Sequence, residues 1–422
     1  MSVLPATYFS IVLIVFAFLV SMVEPYRTYG SRHIINKQAL DREAIFIDGN
    51  PPTDPTGLCA FSVLAHNYPC QEFEVRTADG YILSMQRIPA GRGGGGGGRN
   101  KQPVLLQHGV LVDGMTWLIN SPDQSLAFLL ADNGFDVWIA NGRGTRFSRK
   151  HATLDPNSRE YWNWSWDELA AYDLPATFDF VHQQTGQMID YVGHSMGTLV
   201  ALASLSQGKI ANLKSVALLS PVAYLSHMTT GIGLLAAQAF VGEITTWLGI
   251  AEFNPKERTV IGFLHSLCAN PQINCYDLMS SFTGRNCCLN ESTVDLFLMN
   301  EPQSTSTKNM VHLAQTVRDG VLSKFDYGNP DYNMQHYGQR RPPVYNLTNI
   351  PSNLPIFISY GGQDALADVQ DVLLLLDSLK LHDGDKLEVQ FVKDYAHADF
   401  IMGVNAKEIV YNALAAFFKR QP

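Results

Sequence analysis

Short apolar runs alternate with stretches of helical periodicity through much of the chain. Residues 103–107, 135–140, 188–192 and 214–219 are apolar-rich runs too short for helices, and they read as buried strands. Between them, residues 121–133, 166–183 and 198–206 place apolar positions at three- and four-residue spacing. Buried strands separated by helices predict a mostly parallel sheet covered on both faces. Upstream, the alternating runs 73–76 and 81–88 meet at Asp79-Gly80, a dipeptide that predicts a hairpin. The rhythm stops at Ser220-Pro221. From there to about Pro351 the chain has amphipathic and apolar segments and no clear strand run. Alternation resumes with 355–360, 369–379, 387–392 and 406–419. The pattern predicts one α/β core, residues 59–220 and 352–422, interrupted by a helical cap or lid over 221–351.

The N-terminus reads differently. From Tyr8 to Val23 the chain carries no charge, and Glu24, Pro25 and Arg27 end the run. It falls short of the roughly 20 apolar residues of a membrane span and suits the core of a signal peptide, residues 1–26. A basic leader is missing, so an uncleaved signal anchor is the alternative reading, and a buried core helix is the third. Residues 27–58 are polar and proline-rich towards their end, as in a linker or pro-segment. The glycine-rich stretch 91–100 predicts a flexible loop, and without a following Lys-Ser/Thr it is no phosphate cradle.

With 46% apolar and 16% charged residues, the 422-residue chain can bury a large core. Its formal net charge of −9 excludes a nucleic-acid partner, since no basic surplus exists to neutralise phosphates. A lipid surface, reached through apolar contacts, remains open. Six cysteines behind an export signal suggest disulfides. Cys59 can pair with Cys70; Cys268, Cys275, Cys287 and Cys288 allow three connectivities. A zinc site is the rival, but the spacing lacks paired CxxC. Sequons at Asn163, Asn290 and Asn346 fit a secretory route to the exterior or to a vacuolar or lysosome-like compartment. Asn163, set among Tyr161, Trp162, Trp164 and Trp166, is expected to be too buried for glycosylation.

The chemistry centres on Gly193-His-Ser-Met-Gly197, a GxSxG pentapeptide. Alone it is a weak signal. Here it follows an apolar strand and precedes a helical pattern, the strand–turn–helix a nucleophile elbow requires. Gly193 and Gly197 leave room for the turn, and Ser195 becomes the candidate nucleophile at a helix N-terminus. A serine hydroxyl needs a base and an orienting carboxylate, and in folds with this elbow these follow in the order acid, then histidine. Asp364 and His397 qualify, each in a loop just past a predicted strand. Asp368, expected inside the next helix, and Asp399, expected to be solvated or structural, are the rival carboxylates. His382 is expected on the surface, His194 in a packing role and His108 as a structural hydrogen-bonding residue. Backbone N–H groups of Val110 and Met196 are the expected oxyanion donors, each worth roughly 3 kcal/mol.

Taken in order, YPCQEFEVRTADGYILSMQRIP, LLQHGVL, NGRGTRFSR, SWDELAAYDLPA, YVGHSMGT, GGQDALAD and YAHADFI resemble the acid lipase family of neutral-lipid esterases, most of all its plant-type triacylglycerol lipases. The matching segments run from about Tyr68 to Ile401. The resemblance implies an α/β-hydrolase fold, a triad of Ser195, Asp364 and His397, oxyanion donors Val110 and Met196, and hydrolysis of acyl esters such as triacylglycerol at a lipid–water interface. No cofactor, metal or protein partner is implied. Met196 departs from several relatives, which carry Gln there. The alternatives are a non-catalytic ligand-binding member of the fold and an acyltransferase using the same triad. Apolar stripes at 231–241 and 244–250 of the cap could face acyl chains, although such stripes more often pack against the core.

Overall fold

The computed structural model describes residues 57–93, 101–238, 249–255 and 278–421, with single positions at 242 and 246. The expected signal peptide, nearly all of the linker, most of the glycine-rich loop, much of the second apolar stripe, and Cys268 and Cys275 lie outside the described residues.

The hairpin forms as the pattern predicts. Strand β1 (Gln71–Arg76) pairs antiparallel with β2 (Tyr81–Ile88), and Gly80 takes a φ of 99° in the turn, a conformation only glycine adopts without strain. β3 (Pro103–Gln107) and β4 (Asp136–Ala140) follow, with a short β5 (Lys150–His151) against β2. Then come β6 (Ile189–His194) and β7 (Leu213–Leu219). β8 (Glu252–Phe253) and β9 (Thr305–Ser306) form a separate two-stranded ribbon. β10 (Ile356–Gly361) and β11 (Leu387–Val392) complete the main sheet. Its order is β1-β2-β4-β3-β6-β7-β10-β11, parallel from β4 to β11.

The apolar strands hide a period of two that the sequence does not display. Leu105 and Trp138 face one core, with helices α2 (Leu174–Thr185), α3 (Met196–Ser206) and α7 (Val369–Ser378) and the Trp162, Trp164 and Trp166 cluster. Val104, Leu106, Val137 and Ile139 face the other, with α1 (Leu126–Asp132) and α8 (Asn412–Arg420). Both faces are buried, so the central positions facing either core are apolar, with the polar Gln107 and Asp136 at strand ends.

Between β7 and β10 the described chain includes α4 (Gly231–Gln238), α5 (Glu291–Asn300) and α6 (Thr307–Asp319). The β8–β9 ribbon adds strand pairing to a region with no clear strand run; two-residue strands are too short to leave a periodic trace. Cys59 is bonded to Cys70, and Cys287 to its neighbour Cys288. Asn163 is exposed, contrary to expectation, because the neighbouring aromatic rings turn inward and leave its side chain outside. Asn290 and Asn346 are exposed as well.

Candidate active site

Ser195 makes the turn from β6 into α3. Its φ of 55° and ψ of −124° are unusual for a residue with a side chain, the kind of strain that packed surroundings must hold in place. Those surroundings are built from glycine. A Cβ on Gly193 would stand 2.9 Å from the Gly197 carbonyl carbon, and one on Gly197 would stand 2.5 Å from the Gln107 carbonyl oxygen. Gly109 extends the requirement across the site: a Cβ there would meet Ser195 Cβ at 2.9 Å and Oγ at 3.3 Å. The hydroxyl therefore lies against the loop that follows β3.

That loop carries Val110, half-buried, and Leu111 at a φ of 61°. Met196 is the first residue of α3, so its N–H has no acceptor within the helix. His108 shapes the loop from beneath. Its Nε2 accepts the Gly142 N–H at 2.9 Å and its Nδ1 lies 2.8 Å from the Gly109 carbonyl. An accepting Nε2 places the proton on Nδ1, and burial lowers the pKa of the ring, keeping it neutral.

β10 and β11 are parallel neighbours, so their following loops emerge at the same edge of the sheet as the elbow. Asp364 lies in the first loop and His397 in the second, both buried. His397 Nδ1 is 3.1 Å from Asp364 Oδ1 and 2.9 Å from Oδ2. Oδ1 also accepts the N–H groups of Leu366 and Ala367 at 2.9 and 2.8 Å. Burial works to raise this carboxyl, but the His397 charge and the hydrogen bonds outweigh it and hold the acid below its ordinary range. His397 Nε2, the opposite ring nitrogen, is buried and has no hydrogen-bond partner among the described residues. Among the described residues the structure thus joins Asp364 to His397 by hydrogen bonds and shows none between Ser195 and His397.

The elbow and the histidine loop meet through His194. Its Nε2 donates to the His397 carbonyl at 3.0 Å, and the two rings are 4.7 Å apart between centroids. Burial, and then the charge of His397, lower the His194 pKa to about 3, so the ring is neutral. Sequence reasoning gave His194 only a packing role. Asp368, expected inside the helix, instead caps its start, accepting from the Gln370 N–H at 2.8 Å. Asp399 is wholly buried, not solvated. His382 is half-buried, 2.6 Å from the Leu354 carbonyl.

A second cluster sits behind the Val110 loop. Asp113 and Glu301 are both fully buried; the Asp113 N–H donates to Glu301 Oε1 at 3.3 Å, and Arg146 Nε donates to Asp113 Oδ2 at 2.7 Å. The Gln303 N–H reaches the Leu111 carbonyl at 2.7 Å. No motif in the sequence announces this cluster.

The chain matches two family profiles: a partial alpha/beta-hydrolase lipase region over residues 61–121 and the alpha/beta hydrolase fold over 102–404. It is 61% identical to Triacylglycerol lipase 2 of Arabidopsis thaliana over 378 residues, covering 88% of this chain and 90% of that protein. It is 38% identical to human gastric triacylglycerol lipase over 359 residues, covering 83% and 87% respectively. Among solved structures, a soluble variant of monoglyceride lipase from Saccharomyces cerevisiae superposes with a TM-score of 0.53 at 15% identity, covering 83% of this chain and 96% of that one. That likeness is one of fold.

Proposed function

The chain belongs to the acid lipase family of α/β-hydrolases, and from that premise we propose that it cleaves acyl esters of neutral lipids, triacylglycerol among them, through Ser195, His397 and Asp364. The observation that carries this reading is the orientation of His397: Asp364 holds Nδ1, and Nε2 is left unspent beside a strained elbow.

In the reaction, His397 Nε2 takes the Ser195 proton as Oγ attacks the ester carbonyl. Asp364 fixes the imidazole tautomer and stabilises the imidazolium that forms. The developing oxyanion accepts from the N–H groups of Met196 and Val110. Collapse expels the alcohol, which takes the proton from His397, and leaves an acyl-serine. Water then attacks with His397 again as base, releasing the fatty acid and restoring Ser195. The Ser195–His397 hydrogen bond, absent from the described contacts, forms when substrate is bound, since such bonds tighten only in the reacting complex.

The region 221–351 is the cap in this reading, presented to a lipid–water interface. Two disulfides among the described residues, three exposed sequons and the apolar run at Tyr8–Val23 support passage through the secretory route.

The test is fatty-acid release from a triolein emulsion by purified protein. Ser195→Ala should lower turnover by on the order of 10⁴-fold or more while the melting temperature stays near wild type. A folded variant with retained turnover overturns the assignment. Transfer of the acyl group to added glycerol in preference to water would favour an acyltransferase.

A further inference from the structure

Asp399 lies two residues past His397, and it is fully buried. Its carboxylate makes no hydrogen bond to the imidazole among the described contacts. It accepts three backbone N–H groups instead: Ala396 on Oδ2 at 2.8 Å, Cys287 on Oδ2 at 3.2 Å and Cys288 on Oδ1 at 3.1 Å. Ala396 is the residue immediately before His397. The other two donors belong to a distant strip of chain, residues 283–289.

That strip touches both triad loops. The Thr283 carbonyl accepts the His397 N–H at 3.0 Å and the Ala365 N–H at 3.3 Å, so one oxygen ties the histidine loop to the acid loop. Gly284 forms a bridge with Asp364, and Leu289 forms one with Gly403. The Val404 N–H donates to the Cys288 carbonyl at 2.8 Å. The strip is therefore laced to the chain on both sides of His397. The disulfide between Cys287 and Cys288 closes a small ring around the peptide unit joining them. A ring of that size limits rotation of the Cys288 amide, which lies within it, and that amide points with its Cys287 neighbour at one carboxylate.

We propose that Asp399, with the paired amides of Cys287 and Cys288, is a positioning residue for His397. It fixes the histidine loop so that the imidazole meets Asp364 on one side and the substrate-facing hydroxyl on the other. A buried carboxylate accepting three amides is a strong restraint, because losing it would leave three N–H groups without their acceptor, the buried one of Ala396 among them. Displacement of a reacting group by about 1 Å costs on the order of 100-fold in rate. The role rests on the triad reading above.

The experiment compares Asp399→Asn with His397→Ala and wild type, using a soluble short-chain ester. Asparagine preserves the shape but replaces one acceptor oxygen with a donor facing an amide. Asp399→Asn should fold, lower kcat by about 10- to 100-fold and leave KM within about twofold, since acyl binding is untouched. A folded Asp399→Asn with wild-type kcat, alongside an inactive His397→Ala, overturns this inference and leaves the triad standing. Activity retained in His397→Ala defeats the triad reading itself. Should Asp399→Asn fail to fold, the double variant Cys287→Ser/Cys288→Ser keeps the carboxylate and frees the Cys288 amide from its ring. It should show a loss in kcat at unchanged KM, and wild-type kcat in that variant overturns the inference.

Discussion

Glu301 is a carboxyl group with no exposure, and its neighbours set its charge. Burial, followed by the negative charge of Asp113, pushes its pKa up to about 9, against an ordinary value of 4.5. The folded protein therefore retains this proton up to about pH 9, whereas the unfolded chain releases it near pH 4.5. Between those values the unfolded state binds fewer protons, so stability falls as pH rises, by at most about 1.4 kcal/mol per pH unit. Glu301→Gln removes the titration and keeps the shape. Wild type should lose stability relative to this variant from pH 5 to pH 9, measured as urea unfolding free energy; parallel profiles would contradict the assignment. Nothing local marks Glu301 in the sequence, because Asp113 stands 188 positions away. Ser195 differs: its two glycines lie within two residues, so its turn was legible. Asp364 and His397 were legible for a similar reason, each following a recognisable strand. Asp399 was read as either solvated or structural and the sequence could not choose, since two of its three amide donors lie more than a hundred positions upstream.

At the scale of elements, the clearest signals came from strands enclosed on both faces. β3, β4, β6 and β10 are buried along their whole length, so they stand out as apolar runs. β8 and β9 are two residues each and make their pairing only across distant chain. The helix expected over 166–183 is interrupted by a wider turn at Leu169–Asp173, a change of hydrogen-bonding pattern that leaves the apolar spacing almost intact. The N-terminal turn is an element that depends on a covalent tie. Leu58 and Val63 pack into the core, while the Cys59–Cys70 disulfide joins their turn to the start of β1 across 11 positions. A loop of that size restricts the unfolded chain by about 3 kcal/mol. Cys59→Ala/Cys70→Ala should lower the urea unfolding free energy by about that amount. A loss below about 0.5 kcal/mol would show that burial of Leu58 and Val63 holds the turn without the bond.

For the whole molecule, topology does the assembling. Parallel strands point their carboxyl ends the same way, so loops separated by about two hundred residues of sequence arrive at one edge. The β3 loop brings Val110, β6 brings Ser195, β10 brings Asp364 and β11 brings His397. The alternation of short apolar runs and helices was enough to foresee that edge. The clamp beside it, from residues 283–289, was not foreseeable, because it runs through backbone hydrogen bonds that side-chain identity does not encode. Whether these four loops form one reacting centre is decided by a crystal structure after inhibition with an alkyl phosphonate. Phosphorus should be bonded to Ser195 Oγ, its free oxygen about 3 Å from the N–H groups of Val110 and Met196, with His397 Nε2 facing the remaining ester oxygen. Phosphorus on another residue, or an oxygen turned away from both amides, would contradict it.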